Sequence, residues 1–224
     1  MTAGALRRAR RSSGARPLAA SFYDREADLV ARDLLGAVLE HRSPEGGASG
    51  RIVEVEAYMG PHDPACHAAA GLTPRTRPLF GPPGTSYVYF IYGNHWCVNA
   101  VTREAGYGAA VLIRALEPLE GIALMQRRRP LARRESDLAN GPGKLCAALG
   151  IDAGQNALSL QQAPLRILAG EPVDDDLVLV SPRVGISKAA SEMLRFFVAD
   201  NPYVSRVPSS IECQVRNSQK RERR

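Results

Sequence analysis

The sequence predicts a single α+β domain with a mainly antiparallel, curved β-sheet, flanking helices and a protruding β-hairpin. Three observations support this prediction: an apolar period of helical spacing at 22–39, a strictly alternating stretch at 51–58, and two aromatic and β-branched runs at 86–92 and 95–101. The length of 224 residues fits one domain with its own hydrophobic core.

The positive charge of the chain lies at its two ends. The net charge is +6, but residues 1–16 carry five arginines and no acid, and residues 206–224 carry six basic and two acidic side chains, which leaves −3 for residues 17–205. We therefore predict a disordered basic tail at 1–16, a folded domain at 17–205 and a basic C-terminal tail at 206–224. Charge alone neither establishes nor excludes a nucleic-acid partner.

The composition is that of an ordinary soluble globular protein. Hydrophobic residues make up 45% of the chain and charged residues 23%, and no stretch approaches the roughly 18 consecutive apolar residues of a membrane helix. The basic N-terminus is not followed by the apolar segment of a signal peptide. We expect a cytoplasmic protein, associated with the nucleoid if the source is bacterial, whose four dispersed cysteines are reduced.

The first half of the domain has the clearest periodic patterns. The stretch 22–39 predicts an amphipathic helix, with Asp24 able to cap its start. The stretch 51–58 predicts a strand with one unusually acidic face, which carries Ile52, Glu54, Glu56 and Tyr58.

A long loop and a hairpin follow. Residues 60–84 are rich in Pro, Gly, His and Arg, which predicts an ordered loop of the kind that often carries function. Gly93 and Asn94 separate the two β runs and predict a two-residue turn with positive φ at its first position. Tyr92 is then expected at the hairpin tip.

The second half of the domain adds weaker signals. We predict a buried strand at 109–114, a helix at 119–134, and a short helix entered through turn residues within 140–149. Further strand-like runs lie within 165–180 and 182–205. Helices at the start and middle with hairpins between them favour the α+β class.

Glu56 is the candidate general base. A carboxylate on a strand can activate water when its site shields it from solvent. A strand glutamate is more often a surface residue, but Tyr58 lies on the same strand face and places a flat π surface beside Glu56. Glu54 shares that face, and because its charge would repel Glu56, we expect one of the two to be solvated or paired with an arginine.

The hairpin is unusually rich in tyrosine. Tyr87, Tyr89 and Tyr92 occur within 86–92. Core packing is the ordinary explanation for such a strand, but a tyrosine at an exposed tip has little to pack against, whereas insertion between base pairs would bury both of its faces. Stacking of a base on an aromatic ring contributes about 1 to 3 kcal/mol.

Two further clusters are ambiguous. His62, Cys66 and His67 form an H-x3-C-H group, but no second paired half accompanies it, so we predict no metal and no cofactor and expect His67 to act as a hydrogen-bonding group. The segment 140–144 (NGPGK) resembles a phosphate-binding turn at a helix N-terminus. It lacks the spacing and the Ser or Thr of a nucleotide-binding P-loop, which leaves a DNA phosphate contact as its candidate role.

Four long stretches together resemble the alkyladenine (3-methyladenine) DNA glycosylase family, in order and spacing, from about Arg25 to Ser205. They are RIVEVEAYMGPHDPACHA, TPRTRPLFGPPGTSYVYFIYGNHWCVN, AVLIRALEPLEG and NGPGKLCAALGI. The resemblance implies that Glu56 deprotonates the attacking water, with Arg114 beside it and the flipped nucleotide. It also implies that Tyr58, His67 and Tyr89 enclose the base.

The same resemblance implies roles for three residues around the pocket. Tyr92 takes the space that the flipped nucleotide vacates in the duplex, Asn99 rejects guanine by crowding its exocyclic amine, and Lys144 lies near a backbone phosphate. An ideal two-residue hairpin would instead pair Val88 with Asn99, so a pocket shared by Tyr89 and Asn99 requires a bulge or twist.

The implied function is monofunctional base excision: release of alkylated or deaminated purines from double-stranded DNA by base flipping, with water attacking the N-glycosidic bond. The implied partner is duplex DNA with a damaged purine, and a monomer suffices. Two alternatives remain. One is a nucleic-acid-binding module without catalysis, and the other is a metal-dependent nuclease that uses Glu54, Glu56 and Asp63.

Overall fold

The computed structural model describes residues 15–205, so most of the predicted N-terminal tail and all of the predicted C-terminal tail lie outside the described residues. The described chain forms one curved sheet of nine strands, and every strand pairing in it is antiparallel. The strands are β1 (Val38–Ser43), β2 (Gly46–Tyr58), β3 (Ser86–Ile91), β4 (His95–Thr102), β5 (Ala109–Glu120), β6 (Gln161–Gln162), β7 (Leu165–Leu168), β8 (Val178–Ser181) and β9 (Arg195–Val198). The helices are α1 (Ala20–Tyr23), α2 (Ala27–Leu34), α3 (Ile122–Arg128) and α4 (Pro142–Leu149). The predicted α+β class is confirmed.

Strand β2 lies at the centre of the sheet. Its partner on one edge is β5, from Ser49 to Tyr58, and its other edge is shared by β1 along 46–51 and β9 along 54–56. The strand order is β3-β4-β5-β2-β1-β7-β6, and β8 pairs with the outer edge of β9. Residues 54–56 therefore have strand partners on both sides, which places two glutamates in the interior of the sheet.

The two faces of the sheet have different partners. One face packs against α2 and α4 in the main core, and the other carries a smaller cluster built around Cys66, Leu79 and Tyr87. Side chains alternate between the faces, since Val88 belongs to the main core whereas its neighbours Tyr87 and Tyr89 belong to the smaller cluster. We call the face that carries Tyr58, Tyr87 and Tyr89 the site face.

The continuous helix predicted at 22–39 is wrong. The chain forms α1 and α2 instead, and α2 ends at Leu34. Gly36 has φ +91°, and a Cβ there would lie 2.0 Å from the carbonyl oxygen of Glu171, so the chain passes through a sharp, crowded turn before β1 begins at Val38. Helical spacing of apolar residues cannot reveal this turn.

The helix predicted at 119–134 is shorter than expected. Strand β5 continues to Glu120, where it still pairs with β2, and α3 then ends at Arg128. Pro130 follows two residues later and lacks the N–H that a further helical turn would use. The short helix predicted within 140–149 is confirmed as α4. Within residues 15–205, none of the helices is long and apolar enough to cross a membrane.

The hairpin loop between β3 and β4 has three residues, so the two-residue turn predicted at 93–94 is wrong. Ile91 pairs with His95, which leaves Tyr92 in the loop together with the two predicted turn residues. Tyr92 has φ +54° and Gly93 has φ +71°. A bulky residue rarely adopts positive φ, so the sequence does not predict that Tyr92 belongs to the turn.

The extra loop residue shifts the register of the hairpin by one. Tyr87 pairs with Asn99, Val88 with Val98 and Tyr89 with Cys97. Because a one-residue slip exchanges the two faces of a strand, the side chains of Tyr89 and Asn99 now lie on the same face, and no bulge within the hairpin is needed.

Candidate active site

A pocket of about 310 Å³ opens on the site face. Its volume lies within the roughly 300 to 1,000 Å³ of typical small-ligand sites. Strands β2 to β5 supply half of the lining residues, and Leu79, Tyr92 and short segments at 65–67, 142–143 and 184–186 supply the rest. Six of the eight predicted site residues line it: Tyr58, His67, Tyr89, Tyr92, Asn99 and Arg114.

Glu56 lies directly behind this lining and is fully buried. The Tyr58 hydroxyl donates to Oε2 of Glu56 at 3.0 Å, and the backbone N–H of Val184 donates to Oε1 at 2.7 Å. Nη1 of Arg114 lies 3.2 Å from Oε2. Each of these three neighbours lines the pocket, whereas Glu56 itself lies immediately behind them.

Arg114 reaches the site because the ladder between β2 and β5 is irregular. Val55 pairs with Ile113 and Glu54 with Ala115, which leaves Arg114 as an extra residue on β5. Such bulges redirect a side chain. The guanidinium of Arg114 bridges both acids of the strand, since its Nε lies 2.8 Å from Oε1 of Glu54 and its Nη1 contacts Glu56.

Glu54 is the partner of two arginines, as one of the two glutamates was expected to be. Besides Arg114, Nε of Arg195 donates to its Oε1 at 2.8 Å. The N–H and hydroxyl of Ser205 each donate to its carboxylate at 2.7 Å. Burial raises the pKa of Glu54, but the charges of Arg114 and Arg195 outweigh this effect and hold the pKa below its ordinary value. Glu54 is therefore ionised, and both of its carboxylate oxygens accept hydrogen bonds from these neighbours.

Three aromatic rings pack together at one wall of the pocket. His67 Nδ1 and the Tyr87 hydroxyl are 2.8 Å apart, and the His67 ring lies 4.6 Å from that of Tyr89 in an edge-to-face arrangement. Burial, together with the charge of Arg75, lowers the pKa of His67, so the imidazole is neutral at neutral pH. Burial also raises the pKa of Tyr58 and Tyr89 far above the ordinary value, so both hydroxyls keep their protons.

Asn99 and Tyr92 both line the pocket but differ in exposure. Asn99 is buried at the pocket wall, where its amide donates to the carbonyl of Tyr87 at 2.9 Å. Tyr92 lies at the hairpin tip at the pocket mouth and is 78% exposed. A ring this exposed, next to a concave apolar site, is available to a binding partner.

Lys144 does not line the pocket. It is exposed in the first turn of α4, and its Nζ donates to the side chain of Asn140 at 2.8 Å. The neighbouring Gly143 does line the pocket, and a Cβ there would lie 2.8 to 3.0 Å from atoms of His95. Helix α4 is thus in close contact with the hairpin.

Sequence reasoning assigned no role to three residues of the site: Tyr87, Val184 and Arg183. Tyr87 was visible only as one of several hairpin tyrosines. Val184 acts through its backbone N–H, which no side-chain pattern reports. Arg183 is buried, and its Nη2 donates to Asp63 at 2.9 Å. Arginines are mostly exposed in folded proteins, so the sequence predicts a surface position for Arg183 and gives no sign of a buried ion pair.

The carboxylates proposed for a metal-dependent nuclease are bound to other groups. Glu54 accepts from Arg114, Arg195 and Ser205, and both oxygens of Asp63 accept from Arg183. Among residues 15–205, no group of three or more His, Cys, Asp or Glu side chains is arranged to hold a metal ion. The geometry of these acids therefore favours ion pairing over metal ligation.

Comparisons with known proteins agree on one family. The family profile described as methylpurine-DNA glycosylase matches residues 21–202. A protein of Methanoculleus marisnigri is 50% identical over 84% of this chain and 98% of its own, and one of Myxococcus xanthus is 49% identical over 84% and 93%. A protein of Legionella pneumophila is 44% identical over 85% and 99%. All three carry the name "Putative 3-methyladenine DNA glycosylase".

Proposed function

This chain belongs to the methylpurine-DNA glycosylase family, and on that basis we propose that it excises damaged purines from double-stranded DNA by base flipping. It is a hydrolase that acts on N-glycosyl bonds, as a 3-methyladenine DNA glycosylase. Alkylated and deaminated purines are the proposed substrates. The single observation that carries the mechanism is the buried Glu56 carboxylate behind an aromatic pocket of base-binding size.

Glu56 is the proposed general base. Its oxygens are oriented by the hydroxyl of Tyr58, the N–H of Val184 and the guanidinium of Arg114, so the carboxylate is held in one geometry before the substrate arrives. A water between Glu56 and the sugar loses its proton to the carboxylate as its oxygen attacks C1′. The bond from C1′ to the base nitrogen breaks with its electron pair on the base.

Alkylation at N3 or N7 makes the purine a cationic leaving group, so departure needs little acid assistance. Arg114 contributes positive charge beside the reacting water and the flipped nucleotide. The residues that line the pocket include no lysine, so the pocket has no side-chain amine that could attack C1′. This favours hydrolysis of the N-glycosidic bond without strand cleavage.

Base recognition is assigned to the aromatic walls. Tyr58, Tyr89 and His67 would stack on and enclose the flipped base, and Asn99 at the pocket wall would exclude the exocyclic amine of guanine. Tyr92 would insert into the duplex and fill the space that the nucleotide leaves.

The surroundings of the pocket complete the proposal. Lys144 at the start of α4 would contact a backbone phosphate. One pocket on one duplex requires no symmetry, so a monomer is expected. The proposed substrate implies a cytoplasmic enzyme, associated with the nucleoid if the source is bacterial.

The test uses a duplex with one 3-methyladenine or hypoxanthine, incubated with excess protein in the presence of a chelator. We expect the wild-type protein to leave abasic sites, and Glu56→Gln to lower the rate by about 10²- to 10⁴-fold, the usual contribution of a general base. Affinity for the damaged duplex should be retained. Glu120→Gln, an exposed glutamate on β5, is the matched control and should react like the wild type.

Base release by both wild type and Glu56→Gln, or by neither, would contradict this mechanism. The alternative of a binding module without catalysis expects binding that is indifferent to Glu56→Gln and no abasic sites from the wild type. A nuclease would instead lose its activity in chelator.

A further inference from the structure

We propose that Arg183 and Asp63 form a positioning pair that orients the Glu56 carboxylate without touching the substrate. The inference rests on the proposed function, since it assigns this pair to the same reaction. The pair joins two segments of the pocket wall, one leading from Asp63 to His67 and the other starting at Arg183 and continuing through Val184 to Ile186.

Arg183 donates three hydrogen bonds to two partners. Its side chain has no exposed surface, and both of its terminal nitrogens donate to the Asp63 carboxylate, with Nη2 at 2.9 Å from Oδ1. Nη1 also donates to the carbonyl of Ala57 at the end of β2, at 3.0 Å. A bidentate arginine pair of this kind defines orientation as well as distance.

Asp63 in turn is anchored to its own loop. Its carboxylate accepts the backbone N–H of Met59 at 3.2 Å and that of Ala65 at 3.0 Å. Burial raises the pKa of Asp63, but the bonds from Arg183 and from these two N–H groups lower it below its ordinary value. The pair is therefore ionised at neutral pH, and each partner compensates the buried charge of the other.

The contacts of Arg183 lead to both oxygens of Glu56. Its neighbour in the chain, Val184, donates its N–H to Oε1 at 2.7 Å. Its guanidinium lies 4.8 Å from the centroid of the Tyr58 ring, and the hydroxyl of Tyr58 donates to Oε2. Arg183 thus fixes two of the three groups that orient the carboxylate, whereas Arg183 itself does not line the pocket.

This arrangement makes a specific prediction about rates. If the pair is lost, the segment at 183–186 and the ring of Tyr58 lose their common anchor, and the carboxylate loses its single orientation. The chemical step should slow, because small misplacements far from the reacting atoms have large effects on rate. Substrate binding should change less than the rate, since Tyr89 and Asn99 on the hairpin do not contact the pair.

The experiment compares Asp63→Asn with Glu40→Gln in the full chain. Glu40 is a buried acid that pairs with the partly exposed Arg42 and Arg166 on strands remote from the pocket, so it serves as a control for the loss of a buried carboxylate charge. Thermal unfolding, affinity for a duplex with one hypoxanthine, and the single-turnover rate at saturating enzyme are measured for each. We expect a rate loss of about 10- to 100-fold for Asp63→Asn alone, with a smaller change in affinity. The loss of Tm should be larger in Asp63→Asn than in Glu40→Gln, because Arg183 is fully buried and the partners of Glu40 are partly exposed.

Two further variants keep the inference falsifiable if Asp63→Asn does not fold. Arg183→Lys keeps the charge but loses the bidentate bond and the ring contact, so it should also slow the chemical step. Asp63→Glu restores a carboxylate partner and should recover part of the rate.

A wild-type rate in Asp63→Asn or Arg183→Lys would overturn the inference, as would an equal rate loss in Glu40→Gln. Wild-type protein without base release would overturn the proposed function and this inference together. Normal wild-type release with a fully active Asp63→Asn would overturn this inference alone.

Discussion

Glu54 and Glu56 lie two residues apart on β2, yet their neighbours differ in kind. The Glu54 carboxylate accepts hydrogen bonds from Arg114, Arg195 and Ser205, which keep it ionised at neutral pH. Glu56 has neighbours that line the pocket. At the residue scale, the strand therefore pairs a structural acid with a candidate catalytic one, and Arg114 connects them.

Glu54 should make the stability of the protein depend on pH. Its folded pKa lies below its ordinary value, so its contribution is present above that value and is lost as pH falls through the folded pKa. Glu54→Gln should lower the free energy of unfolding at neutral pH by about 3 to 5 kcal/mol, because it leaves buried arginine charge uncompensated. Urea unfolding at pH 7 and at acidic pH, for wild type and variant, measures both effects.

The difference between wild type and Glu54→Gln should shrink as the medium becomes acidic. A difference that stays constant across this range would contradict the assignment of an ionised Glu54. Glu120→Gln serves as the exposed control and should track the wild type at every pH.

Tyr92→Ala should separate stability from activity. The ring is 78% exposed, so its removal should change the free energy of unfolding by no more than about 0.5 kcal/mol. Loss of stacking worth about 1 to 3 kcal/mol should lower base release from duplex DNA. Tyr92→Phe keeps the ring and should behave like the wild type. Equal release by Tyr92→Ala and wild type would argue against insertion of this ring into the duplex.

At the scale of elements, the hairpin and α4 form one unit. The three-residue loop places Tyr87, Tyr89 and Asn99 on the site face, and the close approach of Gly143 to His95 brings the start of α4 against the second strand of the hairpin. The width of the pocket at this side therefore depends on the contact between β4 and α4.

Gly143→Ala tests this contact. Alanine favours helix over glycine by about 1 kcal/mol, but its Cβ would come within 3.0 Å of the His95 side chain and displace it. We expect slower base release and little or no gain in Tm. Ala147→Gly, an exposed position on the same helix, reports the propensity effect alone. A gain in Tm with an unchanged rate would mean that His95 yields without altering the pocket.

At the scale of the whole molecule, the two faces of the sheet have different roles, one in stability and the other in the proposed function. One face packs against helices and forms the main core, and the other face carries the pocket, the buried acids and the arginines that balance them.

Positive charge is concentrated at the two ends of the chain. Residues 1–16 and 206–224 carry the excess of positive charge and residues 17–205 are net negative, so long-range attraction to DNA should come largely from the two terminal segments.

Replacement of the six basic residues of 206–224 by Gln tests this division of charge. We expect weaker binding to undamaged and damaged duplexes alike, and a smaller slope of log affinity against log salt, because fewer counterions are released. The single-turnover rate at saturating enzyme should not change. Fluorescence anisotropy over a range of salt concentrations measures the first two quantities, and an unchanged slope would show that the tail does not contact phosphates.

The sequence by itself determined the class of fold, the presence of a strand that carries Glu56 and Tyr58, and the family, although β2 begins five residues before the predicted start. These features follow from local periodicity and from long motifs, which need no knowledge of distant contacts. Only the tertiary structure decided that Tyr92 belongs to the hairpin loop, that Arg114 bridges two acids, and that Arg183 anchors Asp63. These three features depend on a positive φ, a bulge, and a contact between residues far apart in the chain. The spacing of residue types along the sequence does not report any such feature, because it reflects only local periodicity.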